Sequence, residues 1–368
     1  MPNSFVTVKE IARQALPRLI ENLVMPNLCH KDYSDDFVSG KGATIQVRKP
    51  VVLTAADFDA SSGVSAQGVT ESTVDVTLDK LATVDVEFGA IESATNVDDL
   101  NRLFIEPAAA ALAAKINADG LALYKDIPYA IGTAGTTPDD LEDFANAAKV
   151  LNEHKAPMTE RYGVWNPSAN AEFQQIPALV NAEKSGTTEA LRAGAIGRVF
   201  GIDNYMAQGV KDSPAAGGAG TVLIDKTGGY AAGTTAIHVD GVSTALTAGD
   251  TIAIGGYYYT VKEVGALSTA DQDITLTYGL LAAVADNDSV TLVGKAAENM
   301  VFHRNAFAFV TRPLTAPAGV ESYTTSFNGI TLRVCRGYDM KHKKDMLSMD
   351  VLYGYKAIYP ELAVRVLG

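Results

Sequence analysis

The chain holds only two cysteines, Cys29 and Cys335, far apart and outside any CxxC spacing. This excludes a disulfide framework and a thiolate zinc cluster, and leaves two inert thiols in a reducing compartment as the expectation. The five histidines, His30, His154, His238, His303 and His342, fall in no HxxxH or other ligand spacing, so no metal site is read. No run approaches the roughly 20 apolar residues that cross a bilayer. The N-terminal stretch MPNSFVTVKEIARQ lacks a basic segment ahead of an apolar one, so no signal peptide is expected and synthesis in the cytoplasm is. Basic residues are also scarce, with 30 Lys and Arg against 43 Asp and Glu for a formal charge of −13. Gripping nucleic-acid phosphates needs clustered bases. The one dense patch, Lys341-His342-Lys343-Lys344, sits between Asp339 and Asp345 and reads as a solvated turn. GxxxxGK[ST], GxSxG and HExxH are missing too, the spacings that cradle phosphate, seat a serine nucleophile or bind zinc. No catalytic, cofactor-binding or metal site is therefore expected.

What is present is ordinary folded protein, 47% hydrophobic and 20% charged over 368 residues. That length exceeds the roughly 250–300 residues at which one core stops growing, so two or three units are expected. Residues 7–24 read as an amphipathic helix. Thr7 and Glu10 make a capping-box pattern, and Ile11, Ala15, Leu19 and Leu23 recur at helical spacing. Pro17 should kink it and Pro26 should end it. An apolar stripe at the chain end suggests an arm that docks elsewhere; a helix folded onto its own domain fits the periodicity equally well.

From Gly42 the period changes to two, in Ala43–Lys49 and again in Val74–Asp79. Between them lies a polar, small-residue stretch containing Ser61–Gly68. A connection of roughly twenty residues is long for a hairpin, and reads as an extended two-stranded arm. A long helix follows from the Asn96 cap to Asp126, with Leu100, Leu103, Phe104, Leu112, Ile116 and Leu123 in its stripe and a bend at Pro107. About thirty helical residues would span roughly 45 Å, a structural spine.

Thr137-Pro138-Asp139-Asp140 opens another helix, Tyr162–Trp165 is a strand, and Asn166-Pro167-Ser168 starts the next helix. Gly194–Gly201 spaces its glycines as GxxGxxxG with a strand after it, where a dinucleotide loop needs a helix. It is read as strand and turn. Asp98-Asp99 and Asp139-Asp140 belong to first helical turns, where the dipole favours acids.

At Pro214–Gly220 the composition shifts. Short strands then recur at 236–239, 251–254, 257–261, 274–277 and 290–293 with turns between, the rhythm of a small barrel or sandwich. The segment from Thr221 to Val293 carries eight acids and two bases. Tyr257-Tyr258-Tyr259 lacks the basic groove of a base-stacking platform and reads as a packed strand. After Lys295 the parent pattern resumes, with strand-rich segments at Asn305–Val310, Ser326–Arg336 and Met346–Val366 whose aromatic and β-branched residues suit buried sheet.

This order of parts resembles the Hong Kong 97-type capsid fold. Met300–Leu314 and Leu352–Glu361 are similar to segments of tailed-phage coat proteins, and Gly194–Val210 is similar to the family's apical strand region. Thr247–Gly256 resembles the insertion domain carried by coat proteins of short-tailed enterobacterial phages. The resemblance covers nearly the whole chain. It implies an α+β major capsid protein with an N-terminal arm at 1–36, an extended loop at 37–90 and a peripheral domain at 91–130 and 298–368. An apical domain at 131–220 and an inserted antiparallel β-barrel at 221–297 complete it.

The resemblance further implies an icosahedral virion shell of pentamers and hexamers around double-stranded DNA. Its implied partners are further copies of itself, a portal protein and a scaffolding protein that is separate, because the chain begins directly at the arm. Relatives offer acids to scaffold from that arm; Ala15–Glu21 holds fewer, so those contacts do not carry over. Some relatives cross-link a loop lysine. Lys41 and Lys80 lie near strand ends here, so non-covalent shells are expected. An encapsulin-type compartment shell is the alternative of the same fold.

Overall fold

A computed structural model describes residues 8–31, 44–48, 73–89, 105–181, 194–217, 220–317, 319–339 and 344–368. The Ser61–Gly68 loop, Asn96–Phe104 of the long helix and Lys341–Lys343 lie outside the described residues. The chain divides into two units: Met1–Pro17 with Lys31–Ala108 and Ala308–Ile358, and Arg18–His30 with Ala109–Phe307 and Tyr359–Gly368.

In the first unit the two period-two segments pair with each other. Thr44–Arg48 runs antiparallel to Thr73–Thr77, from Thr44 opposite Thr77 to Arg48 opposite Thr73. A separate sheet is organised by the 14-residue strand Lys344–Ala357, which pairs antiparallel with Ile330–Asp339 and with Lys80–Gly89. Phe307–Thr311 and Glu321–Phe327 complete it. Opposite charges meet directly across this sheet, with Arg333 Nε donating to Asp350 Oδ2 at 3.0 Å. Within the strand-rich Ser326–Arg336, Asn328 and Gly329 turn the chain with φ of +52° and +69°, the two-residue turn whose twist suits a hairpin. Gly354 has a packing reason, since a Cβ there would stand 2.0 Å from the Thr77 carbonyl oxygen.

In the second unit, seven strands form one sheet. Its main path runs Ala130–Gly132, Ala363–Leu367, Ala296–His303, Arg161–Trp165, Ile202–Met206, Arg198–Val199, and Asp212–Ser213 pairs with the start of Ala296–His303. All eight residues of Ala296–His303 are buried, as expected for a strand covered on both faces. Phe144, Leu151 and Phe173 from the helices Leu141–Glu153 and Pro167–Phe173 share a core with Trp165, Val301, Val364 and Val366. The second helix starts as read, with Asn166 Oδ1 accepting from the Ala169 N–H at 2.8 Å. The first starts three residues later than Thr137. The Asp143 carboxylate accepts from the Asp139 and Asp140 N–H groups at 3.2 and 3.4 Å, which makes Asp140 the cap.

The first helix spans Val8–Asn22 and runs through Pro17. Its stripe of Ile11, Ala15, Leu19 and Leu23 is buried by the chain's own fold. Of the two readings left open by periodicity, this burial favours the helix folded onto its own chain. The long helix is described from Glu106 to Leu121 and continues as a 3-10 turn, Ala122–Asp126.

The stretch from 222 to 292 closes into a six-stranded barrel, in the order Ala236–Asp240, Gln272–Leu276, Tyr257–Val264, Thr251–Ile254, Ser289–Leu292, Val222–Ile224. Five of the six match segments read from the sequence. The sixth, Val222–Ile224, joins the two open edges by pairing Val239 with Ile224 and Val290 with Val222. Inside lie Val222, Ile237, Val239, Ile252, Ile254, Tyr259 and Ile274, together with further aliphatic residues.

Candidate functional site

Among the described residues no group of three or more His, Cys, Asp or Glu side chains could hold a metal ion. Both cysteines are buried, and neither is in a disulfide. The Gly194–Gly201 segment opens no helix. It leads into a hairpin, Arg198–Val199 with Ile202–Met206, and Asn204 Nδ2 ties it down by donating to the Gly197 carbonyl at 2.9 Å. Of the paired acids, Asp98-Asp99 lie outside the described residues and Asp139-Asp140 serve the helix start. The tyrosine run is a packed strand: Tyr259 is buried in the barrel core and Tyr257 and Tyr258 are half-buried.

Chemistry concentrates instead where the barrel meets the seven-stranded sheet of its own unit. The Tyr258 N–H donates to the Pro128 carbonyl at 2.8 Å. Ala253 and Tyr258 pack against Val293, Ala296 and Leu367, and the Tyr129 and Tyr257 rings meet edge-on at 6.0 Å. Through the middle runs Arg365. Its Nε donates to the Ile127 carbonyl at 2.8 Å and its Nη2 reaches Thr260 Oγ1 at 3.3 Å. One wholly buried guanidinium thus joins the last strand, the segment after the long helix, and the barrel. Its charge lies over the Tyr124 ring at 5.5 Å, and burial, with Glu298 nearby, pushes the Tyr124 hydroxyl up to about 12.

Glu298 is the counter-charge. Burial pushes its carboxyl up, against the pull of Arg365; the nearby Ser213 hydroxyl donates to the Ala296 carbonyl at 3.3 Å. Sequence reasoning missed both residues. The signal was one acid in Ala-Ala-Glu-Asn-Met-Val and one base in Ala-Val-Arg-Val-Leu, single charges inside apolar strands that must be paired if buried.

On the barrel exterior His238 Nδ1 contacts Asp273 Oδ1 at 2.7 Å and its Nε2 lies 3.7 Å from Asp225 Oδ2. The Asp273 hydrogen bond, then the surrounding carboxylates, raise its pKa despite slight desolvation. The larger surface features are apolar. Met158, Phe327 and Phe200 are 72%, 67% and 56% exposed.

These features define a mixed α+β protein with a closed six-stranded barrel inside one unit, built around joints and exposed apolar tips. Comparison with protein-family profiles gives no match, and comparison with curated proteins gives none. Solved structures do match. The chain is similar to a protein of Mycobacterium phage Che8, with a TM-score of 0.55 and 17% identity over 94% of this chain and 90% of that one. It also matches the capsid of cyanophage P-SCSP1u, with a TM-score of 0.49 and 13% identity over 89% of this chain and 84% of that one. The mature capsid of bacteriophage PhiM1 gives a TM-score of 0.49 and 11% identity over 89% and 82%.

Proposed function

We propose that this chain is the major capsid protein of a tailed phage, with the Hong Kong 97-type layout and an inserted barrel. It assembles with further copies into pentamers and hexamers of an icosahedral shell around double-stranded DNA. The observation that carries the reading is the shared fold with the Che8 phage protein along 94% of the chain. Fold alone does not fix function, so the surface matters too. The exposed apolar tips suit a subunit that meets neighbours, and a formal charge of −13 suits a wall that does not hold its DNA. A separate scaffolding protein and a portal are the further partners of this reading. Expressed with the scaffolding protein of the same genome, the chain should form closed shells visible by electron microscopy. A stable monomer by light scattering would overturn the reading, and shells filled with enzyme cargo would favour a compartment shell instead.

A further inference from the structure

The turn that joins Glu321–Phe327 to Ile330–Asp339 is made of Asn328 and Gly329, with Phe327 and Ile330 facing each other across it. Both turn residues are left-handed, at φ of +52° and +69°, and both are exposed. Asparagine followed by glycine is also the pair most prone to lose ammonia. Glycine has no side chain to shield its backbone nitrogen, so that nitrogen can attack the asparagine side-chain amide. Ring closure needs the nitrogen on the same side of the Cα–C bond as Cβ. In a left-handed turn of this kind, the peptide plane between the two turn residues points the nitrogen away from it. That plane must rotate before anything can react.

Two side chains from elsewhere in the first unit hold the peptide planes of this turn. Lys31 Nζ donates to the Asn328 carbonyl at 3.1 Å, and that carbonyl belongs to the very plane that must rotate. Thr311 Oγ1 donates to the Gly329 carbonyl at 2.9 Å, in the plane that follows. The Lys31 stem lies against the turn as well, since a Cβ on Gly329 would stand 3.2 Å from Lys31 Cδ. Asn-Gly is already a favoured pair for a two-residue hairpin. What the two added clasps change is how often the turn opens.

We propose that Asn328-Gly329 is a self-modification site, kept closed by Lys31 and Thr311, whose opening converts Asn328 to aspartate or isoaspartate. The Gly329 nitrogen bonds to Asn328 Cγ and gives up its proton. The Cγ–Nδ2 bond breaks, and ammonia leaves a five-membered imide behind. Water then opens the ring. Cleavage of the bond to Cγ returns the ordinary backbone with an aspartate side chain. Cleavage of the bond to the Asn328 carbonyl carbon routes the backbone through Cβ, as isoaspartate. The net change is one water taken up and one ammonia released, with no oxidant or reductant. Either product puts a carboxylate into a turn that Lys31 already touches. Isoaspartate also lengthens the turn, and turn length is what sets the Phe327–Ile330 register.

The test incubates the folded full-length chain at mildly alkaline pH, where the backbone nitrogen gives up its proton more readily. The peptide spanning Asn328 is followed by mass spectrometry, with the aspartate and isoaspartate forms separated by chromatography. The same chain unfolded in guanidinium chloride supplies the ungated rate. Folded wild type should convert at least about tenfold more slowly than the unfolded chain, because reaction waits for a local opening. Lys31→Met keeps the apolar stem and removes the donor. It should convert about two- to tenfold faster than wild type at an unchanged thermal midpoint, the range that one hydrogen bond sets. Thr311→Val should give a smaller rise, because it releases only the second plane. Equal rates in the folded and unfolded chain would overturn the gate, and so would a Lys31→Met rate no faster than wild type. An Asn328 that stays intact even in guanidinium chloride would overturn the site itself.

Discussion

Arg365 Nη1 stops 3.9 Å short of Glu298 Oε1, although both side chains are completely buried and sit on paired strands. The gap is too long for a hydrogen bond. Arg365 directs its other donors to Ile127 and Thr260, and neither Glu298 oxygen nor Arg365 Nη1 has a hydrogen-bond partner. Attraction between opposite charges is retained, but the directional part of an ion pair is sacrificed to hold the barrel. Breaking such a pair leaves one buried charge without compensation.

Arg365→Met should therefore destabilise the subunit by about 3–5 kcal/mol, read as a lower thermal midpoint by circular dichroism. Glu298→Gln should cost less, since it keeps the shape and removes an ionisation that burial opposes. The sign follows from the raised carboxyl. The folded state holds the Glu298 proton to higher pH than the unfolded chain does, so stability falls as pH rises through that window. Glu298→Gln should remove this part of the pH slope; an unchanged slope would show that folding does not shift the Glu298 carboxyl.

His238 has the opposite role on the barrel surface. Its pKa is raised by Asp273 and by the nearby Asp225 and Asp271. The stabilisation is complete below the unfolded value and is lost as pH rises through the folded one. Thermal melting should thus weaken as pH rises above the ordinary histidine range, and His238→Gln should remove that part of the pH dependence.

Gly229 holds the barrel's Tyr230–Val284 bridge at φ of +70°, and a Cβ there would lie 2.1 Å from the Val284 carbonyl oxygen. Gly229→Ala should cost about 1–3 kcal/mol from the left-handed backbone alone, with the clash adding to it. Gly228→Ala, where a Cβ meets nothing within 4 Å, isolates the backbone contribution. Equal melting of the two variants would deny the clash a role.

Trp165 Nε1 donates to Asn204 Oδ1 at 2.8 Å in the core behind the hairpin. Asn204→Ala would leave that donor buried and unpaired, at a cost of about 1–3 kcal/mol. Trp165 is the sole tryptophan, so its fluorescence reports on this site directly. An unaltered emission maximum with an unaltered urea midpoint would count against the bond's contribution.

Local pattern was enough for much of the chain. The period-two runs at 43–49 and 74–79 marked two strands that pair with each other, Asn166 marked a cap, and five strand–turn repeats marked most of a barrel. Other elements were local in kind but went unread. Lys80–Gly89 alternates Ala82, Val84 and Val86, and Asn328-Gly329 is a strong hairpin signal.

What the sequence determined by itself was therefore the element types, the absence of long apolar runs, and the excess of acid, because periodicity, turn chemistry and charge are properties of neighbouring residues. Tertiary structure decided the rest. Val222–Ile224 is three residues long and is a strand only because two edges, near Val239 and Val290, await it. The first helix buries its stripe only in the folded chain. Arg365 and Glu298 matter because strands far apart in sequence bring single charges into a space without water to screen them.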